Sequence, residues 1–192
     1  MRFLDVLLGR TKPVRPNLDV LFGIPAAATA LEAGLGLKAT GAGAVCFRTA
    51  EGVMAERAQA EAMELLGADR GGEVEVSRDE YAYTWATYRR ADADLAALVT
   101  GLHAVNTTLV EAGFGTGLLC TVVGFARGDG RTVGLVYLFK RGTVYPFAPI
   151  GGTRRDNGLE LQIRAQLEGE LPVEPDLGRW FPLWSAPPLA GR

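Results

Sequence analysis

The spacing of apolar residues changes several times along this chain, and each change predicts an element. Residues 92–112 hold the clearest helical period: Leu95, Leu98, Val99, Leu102, Val105, Leu109 and Val110 form one stripe, and Gly113 ends it. Residues 1–16 read as a short amphipathic arm, with Phe3, Leu4, Leu7 and Leu8 at helical spacing before Pro13 and Pro16 force extended backbone. Asn17 then suits the N-cap of a helix over LDVLFGIPAAATALEAG, kinked or split at Pro25 and ended by Gly34. GAGAVCFRTA, residues 41–50, reads as a strand, and residues 51–66 as a helix closed by Gly67. EVEVSRDEYAYTWATYRR reads as two strands joined near Arg78–Glu80, with Tyr81, Tyr83 and Trp85 alternating onto one face. LLCTVVGFAR and RTVGLVYLFK flank the turn residues GDGR as two further β-runs, and YPFAPI continues as a short extended piece. Asn157 and Glu160, at capping-box spacing, open a last helix to about residue 168.

This order predicts an α+β fold with a mainly antiparallel sheet and helices on one face. The simplest match is a ferredoxin-like βαββαβ core with an extra helix and a hairpin strand. The alternative is a secretion-chaperone-like, YbjN-like sheet, which also opens with a helix. We expect one domain over residues 17–171, preceded by the arm. Residues 172–192 form a Pro/Trp-rich tail that packs on the domain or on a partner. Trp180, Phe181, Leu183 and Trp184 crowd a Pro-rich backbone unsuited to a sheet interior, so they must lie over something.

Composition narrows the classes. The chain has 192 residues, enough to bury a core without disulfides or metals, and 48% are hydrophobic against 22% charged. A net charge of −2 supplies no overall basic excess for nucleic acid. Cys46 and Cys120 lie in apolar, strand-like runs and read as small buried hydrophobes in a reducing cytoplasm. The N-terminus has no signal-peptide pattern, and no uncharged apolar run reaches about 18 residues.

Candidate chemistry is sparse. Gly113–Phe114–Gly115–Thr116–Gly117 follows a helix and opens a strand, the reverse of a dinucleotide loop, so it reads as a helix C-cap. The single histidine, His103, sits at the edge of the apolar stripe beside Asn106 and Thr107; an enzyme built on it needs a nucleophile and a polar pocket nearby. No cluster has metal-ligand spacing, and no cofactor is expected. Asp79, Glu80, Asp92 and Asp94 fall at turns and helix starts, where carboxylates cap backbone. Lys140 and Arg141, followed by Arg154 and Arg155, offer an anion- or nucleic-acid-binding patch, against a bland reading as solvated charges at a strand end.

Several segments together carry a resemblance: FLDVLLGRTKPVRPNLDVLF, VSRDEYAYTW, LHAVN, YLFKRGTVYPFAP, RRDNGLELQIR and LPVEPDLGRWFPLW, in that order. The chain resembles the PspA-associated protein PspAB family of actinobacteria and related lineages over nearly its whole length. The resemblance implies a non-enzymatic adaptor of the phage-shock, or envelope-stress, response. Such proteins are encoded beside PspA, which coats stressed membranes, and beside a small companion, PspAA. It implies those two as partners, contact with anionic membrane through PspA, and a cytoplasmic place or one at the inner face of the membrane. It carries over no catalytic residue. Partner-binding candidates are therefore chosen physically: Phe3, Leu4, Leu7 and Leu8 in the arm, Lys140, Arg141, Arg154 and Arg155 in the cationic segment, and Arg179, Trp180 and Trp184 in the tail, where aromatic and Arg side chains suit an interface. An exposed sheet edge would also invite a homodimer.

Overall fold

The computed structural model describes residues 16–48, 57, 60–61, 63–64 and 71–190. Its centre is a six-stranded antiparallel sheet in the order β2-β3-β1-β4-β5-β6. The strands are β1 (Lys38–Arg48), β2 (Gly72–Arg78), β3 (Tyr83–Arg90), β4 (Leu118–Ala126), β5 (Thr132–Leu138) and β6 (Thr143–Phe147). The α-helices with defined ends are α1 (Ile24–Leu35), α2 (Leu95–Glu111) and α3 (Asn157–Leu167). Positions 57, 60, 61, 63 and 64 are helical as well.

The fold is α+β. Strands β1 and β2 run parallel with β3 between them, and β3 and β4 run parallel with β1 between them. That double split of β-α-β units is the ferredoxin-like core. Two strands extend it, not one. Gly142, at φ 68°, lets the chain reverse after β5, so the first half of YPFAPI, residues 145–147, belongs to strand β6 and is not merely extended chain. Pro146 is tolerated because β6 is the last strand of the sheet.

Both faces of the sheet are apolar. One face sends Val45, Phe47, Tyr88, Val123, Phe125, Leu135 and Tyr137 into a core with the helices. There α2 buries Leu98, Val99, Leu102, Val105 and Leu109, the predicted stripe, while Val110 stays exposed. Asp94 caps α2 by accepting from Ala97 N at 3.0 Å, and Gly113, at φ 87°, follows its end. Asn106 lies inside the stripe and donates to Leu102 O at 2.8 Å and to Thr121 Oγ1 at 2.9 Å.

Three local expectations shift. Pro25 does not kink a helix; it stands in the first turn of α1, after a 3-10 turn over Leu18–Gly23. Asn17 makes no side-chain cap; its carbonyl accepts from Tyr137 Oη at 3.0 Å instead. Asp156, not Asn157, caps α3 by accepting from Leu159 N at 3.0 Å. The continuous helical piece Leu18–Leu35 has the length and composition of a membrane span, but Leu21, Ile24, Ala27 and Leu31 are buried in the core. The arm residues Phe3, Leu4, Leu7 and Leu8 lie outside the described residues.

The opposite face is covered by the tail. After α3 the chain bridges β6 through Val173 and Val144, then crosses the sheet so that Trp180, Ala186 and Leu189 pack on Ala44, Val122, Val136, Tyr145 and Phe147. Gly124 and Gly134 are register partners on β4 and β5. A Cβ on Gly124 would meet Pro188 O at 2.9 Å, and one on Gly134 would meet Leu189 Cδ1 at 3.2 Å. This glycine pair leaves the flat floor on which the tail's last turn rests.

Candidate functional site

The tail does not fill the whole face. Between its residues 181–185 and the ends of β1, β3, β4 and β5 lies a partly open cavity of about 620 Å³. Strand pairing builds its floor. Cys46 on β1 faces Cys120 on β4 in register, and Trp85 on β3 faces Cys46 from the other side. The β1–β4 register then slips between Cys46 and Phe47, leaving Leu119 as an extra residue on β4 that lines the cavity. Bulges re-aim side chains in this way beside binding sites. Leu138, Tyr145, Leu183 and Trp184 complete the apolar walls.

The polar groups inside are mostly spent. Asp79 is fully used within its own turn: Oδ1 accepts from Tyr81 N at 3.0 Å and Tyr83 N at 2.9 Å, and Oδ2 accepts from Trp85 Nε1 at 2.9 Å. It organises the β2–β3 turn, in which Ala82 takes φ 61°, and it fixes the indole. Tyr145 donates its hydroxyl to Phe181 O at 2.8 Å, tying the tail over the cavity. Contact with the Cys120 thiol and burial push the Cys46 thiol far above its ordinary pKa, so it stays protonated. A protonated, buried thiol is a poor nucleophile.

The mouth is charged. Lys140, Arg141 and Arg179 line it, with Asp79, Glu80 and Tyr81 opposite in the β2–β3 turn. Arg141 Nε donates to Glu174 Oε2 at 3.2 Å, and Arg179 Nε lies 3.1 Å from Asp176 Oδ2. Glu174 is fully buried. Burial alone would raise its pKa, but hydrogen bonds from Thr143 Oγ1, Arg141 and Asp176 N outweigh that and pull it below the ordinary glutamate value.

The four cations of the predicted patch separate. Lys140 and Arg141 sit in the turn between β5 and β6 at the cavity mouth, and Arg154 and Arg155 do not line it. Arg154 is exposed. Arg155 is structural: its Nε pairs with buried Glu160 at 2.9 Å, its Nη1 donates to Trp180 O at 2.6 Å, and its guanidinium lies 5.1 Å from the centre of the Phe147 ring. Trp180 is a correction too. It is 5% exposed, stacks on Tyr145 at 6.0 Å and donates to Glu174 O at 3.0 Å, so it anchors the tail and presents little to a partner. Trp184 is 37% exposed, edge-on to Phe147 at 5.0 Å.

His103 lies elsewhere. It belongs to α2, on the helix-covered face, its ring tilted against that of Phe22 at 4.6 Å, 3.5 Å from Thr107 Oγ1 and 3.9 Å from Asp19 Oδ1. The two cysteines belong to the opposite face. The sheet thus stands between the histidine and both thiols. Among the described residues no group of three or more His, Cys, Asp or Glu side chains is placed to hold a metal ion. What the site offers is an apolar recess with a cationic lip, a geometry for binding.

The family model for PspAB, PspA associated protein B, matches residues 1–188. The chain belongs to this family. No curated protein and no solved structure matches it. Within the PspA associated protein B fold, sequence reasoning singled out Lys140, Arg141, Arg179 and Trp184 but missed the recess that joins them. The alternation of Tyr81, Tyr83 and Trp85 was the one available signal, because all three line the same cavity.

Proposed function

We propose that this chain is a non-enzymatic accessory protein that binds a PspA-type protein and works through that contact in the envelope-stress response. The family match over residues 1–188 carries the reading. The geometry supports it in two ways. The cavity exposes large apolar side chains, Tyr81 (71%), Phe181 (57%) and Trp184, and Leu177 is exposed in the tail turn that carries Arg179. Arg179 and Lys140 stand among them, giving the aromatic and cationic mix typical of interface anchors. A place in the cytoplasm at the inner face of the membrane, reached through PspA, and a joint complex with PspAA belong to the same proposal.

The experiment is binding of the purified chain to its cognate PspA-type protein, with and without PspAA. A Leu177→Ser/Phe181→Ser variant changes two exposed side chains and leaves Trp180 in place. We expect the wild type to form a complex and the variant to lose tenfold or more in affinity. A folded wild-type chain that binds neither protein sinks the reading. A variant that binds as well as the wild type removes the tail face from it.

A further inference from the structure

We propose that the 620 Å³ cavity is a binding site for a single-chain amphiphile with one anionic head, its chain against the Cys46–Cys120 floor and its head at the Lys140–Arg141–Arg179 mouth. The inference goes beyond partner binding and does not depend on it.

Size comes first. The volume falls in the range of small-molecule sites, roughly 300–1,000 Å³. A partner helix of about 10 Å diameter would fill it within less than two turns, so a protein segment is poorly matched. A single alkyl chain can be held within that volume against the apolar residues that line it.

Polarity decides the two ends. The interior hydrogen-bonding groups of Asp79, Trp85 and Tyr145 are consumed by one another and by backbone, so the floor presents carbon and sulfur. A buried apolar floor gains from apolar contact and has little to give a polar guest. At the mouth the balance reverses. Each arginine is held by a carboxylate through Nε, Arg141 by Glu174 and Arg179 by Asp176. Those pairs engage each guanidinium through Nε and leave the Nη groups of both without a hydrogen bond among the described residues. An outward guanidinium fork is suited to a carboxylate or phosphate. Lys140 adds a third cation with no ion pair among the described residues. Against these three cations the mouth holds one carboxylate with no hydrogen bond or ion pair among the described residues, Glu80, so donors outnumber acceptors and the head that completes it is an anion.

The test uses the full-length chain, freed of bound lipid, at about 0.15 M salt. The probes share one dodecyl chain: dodecanoate and dodecyl phosphate as the anions, dodecyltrimethylammonium as the cation, all below micelle formation. Two readouts report on the cavity. Trp85 and Trp184 line it, so their fluorescence should change on filling. Cys120, the more exposed of the two thiols, lines it as well, so its maleimide labelling in the folded protein should slow. We expect one anion per chain, both effects together, and the cation at least about tenfold weaker. The relative affinities of dodecanoate and dodecyl phosphate tell a carboxylate head from a phosphate head. Lys140→Glu with Arg179→Glu, both at the exposed mouth, should abolish or reverse the head preference. Leu138→Trp, which fills the recess, should abolish binding of all three probes. The proposal is overturned if neither anion binds, if anion and cation bind alike, or if the charge-reversed variant keeps the anion preference. Should Leu138→Trp fail to fold, the charge-reversed variant alone still decides.

Discussion

The two faces of the sheet are both apolar but are closed by different means. On the helix face, α2 settles directly onto β1: a Cβ on Gly43 would stand 2.5 Å from Leu102 Cδ1. The side chains of α2 share one core there with those of α1, α3 and the strands β1, β3, β4, β5 and β6. On the other face the cover is irregular chain. It is held at one end by the Gly124–Gly134 floor, in the middle by Trp180, and beyond Tyr145 it arches over a recess. A helix covers a sheet continuously because its side chains project at regular spacing, whereas a Pro-rich segment covers only where particular residues dock. The first face therefore serves stability, and the second divides into an anchored half and an open half. The open half is the region we propose for recognition.

The largest way to break this contrast is on the helix face. Leu102→Ala removes a fully buried side chain from the contact with Gly43, and it should cost about 2–5 kcal/mol of global stability in urea unfolding. A loss confined to the tail, with the midpoint unchanged, would show that the helix face is not where stability resides. Next comes the anchored half of the other face. Gly134→Val pushes into Leu189 and Val122, and overpacking of this kind costs about 1–3 kcal/mol. Here the loss should be local: the tail lifts, and limited proteolysis within residues 181–190 accelerates while the sheet stays intact. Cleavage no faster than in the wild type would mean that the tail does not depend on that floor.

A smaller effect separates the anchored half from the cavity. Glu174 holds Arg141 and Thr143 to the tail as an ionised, buried carboxylate. Its folded-state pKa lies below its unfolded value, so its stabilisation is complete above the ordinary glutamate range and is lost as pH falls through the lower folded value. Glu174→Gln should cost about 1–2 kcal/mol at neutral pH and remove that part of the acid sensitivity. A variant whose stability falls with acid just as the wild type's does would assign the acid response to other carboxylates.

The same contrast explains what was legible in the sequence. The α2 stripe, its end before Gly113 and the β-runs follow from local periods of 3.6 and 2, so most of the helix face could be read directly, although α1 runs past Gly34 to Leu35 and is capped by Gly36. Element order left two topologies open, a ferredoxin-like core and a secretion-chaperone-like sheet, and the strand pairing decides for the first. The tail face could not be read that way, because its geometry lies in pairings between distant residues. Cys46 meets Cys120 and Gly124 meets Gly134 only through strand register, and the slip that frees Leu119 is a property of two strands together. Trp180 and Arg155 looked like interface residues because composition does not show that Glu160, Glu174 and Tyr145 wait to receive them. Asp156 outcompeted Asn157 as a cap by one position, a margin that capping-box spacing does not resolve.

The smallest expected effect on stability carries the sharpest functional distinction. Phe181 is 57% exposed, and only its carbonyl is tied down, by Tyr145 Oη. Phe181→Ser keeps that carbonyl and should change stability by less than about 0.5 kcal/mol, as surface substitutions usually do. If the open half is a recognition surface, the same variant weakens partner binding while the tail remains as resistant to protease as in the wild type. Binding and stability would then move independently on one face, which the helix face does not allow. If instead Phe181→Ser loosens the tail, its ring is part of the anchor, and the recognition surface shrinks to the charged lip around Lys140 and Arg179.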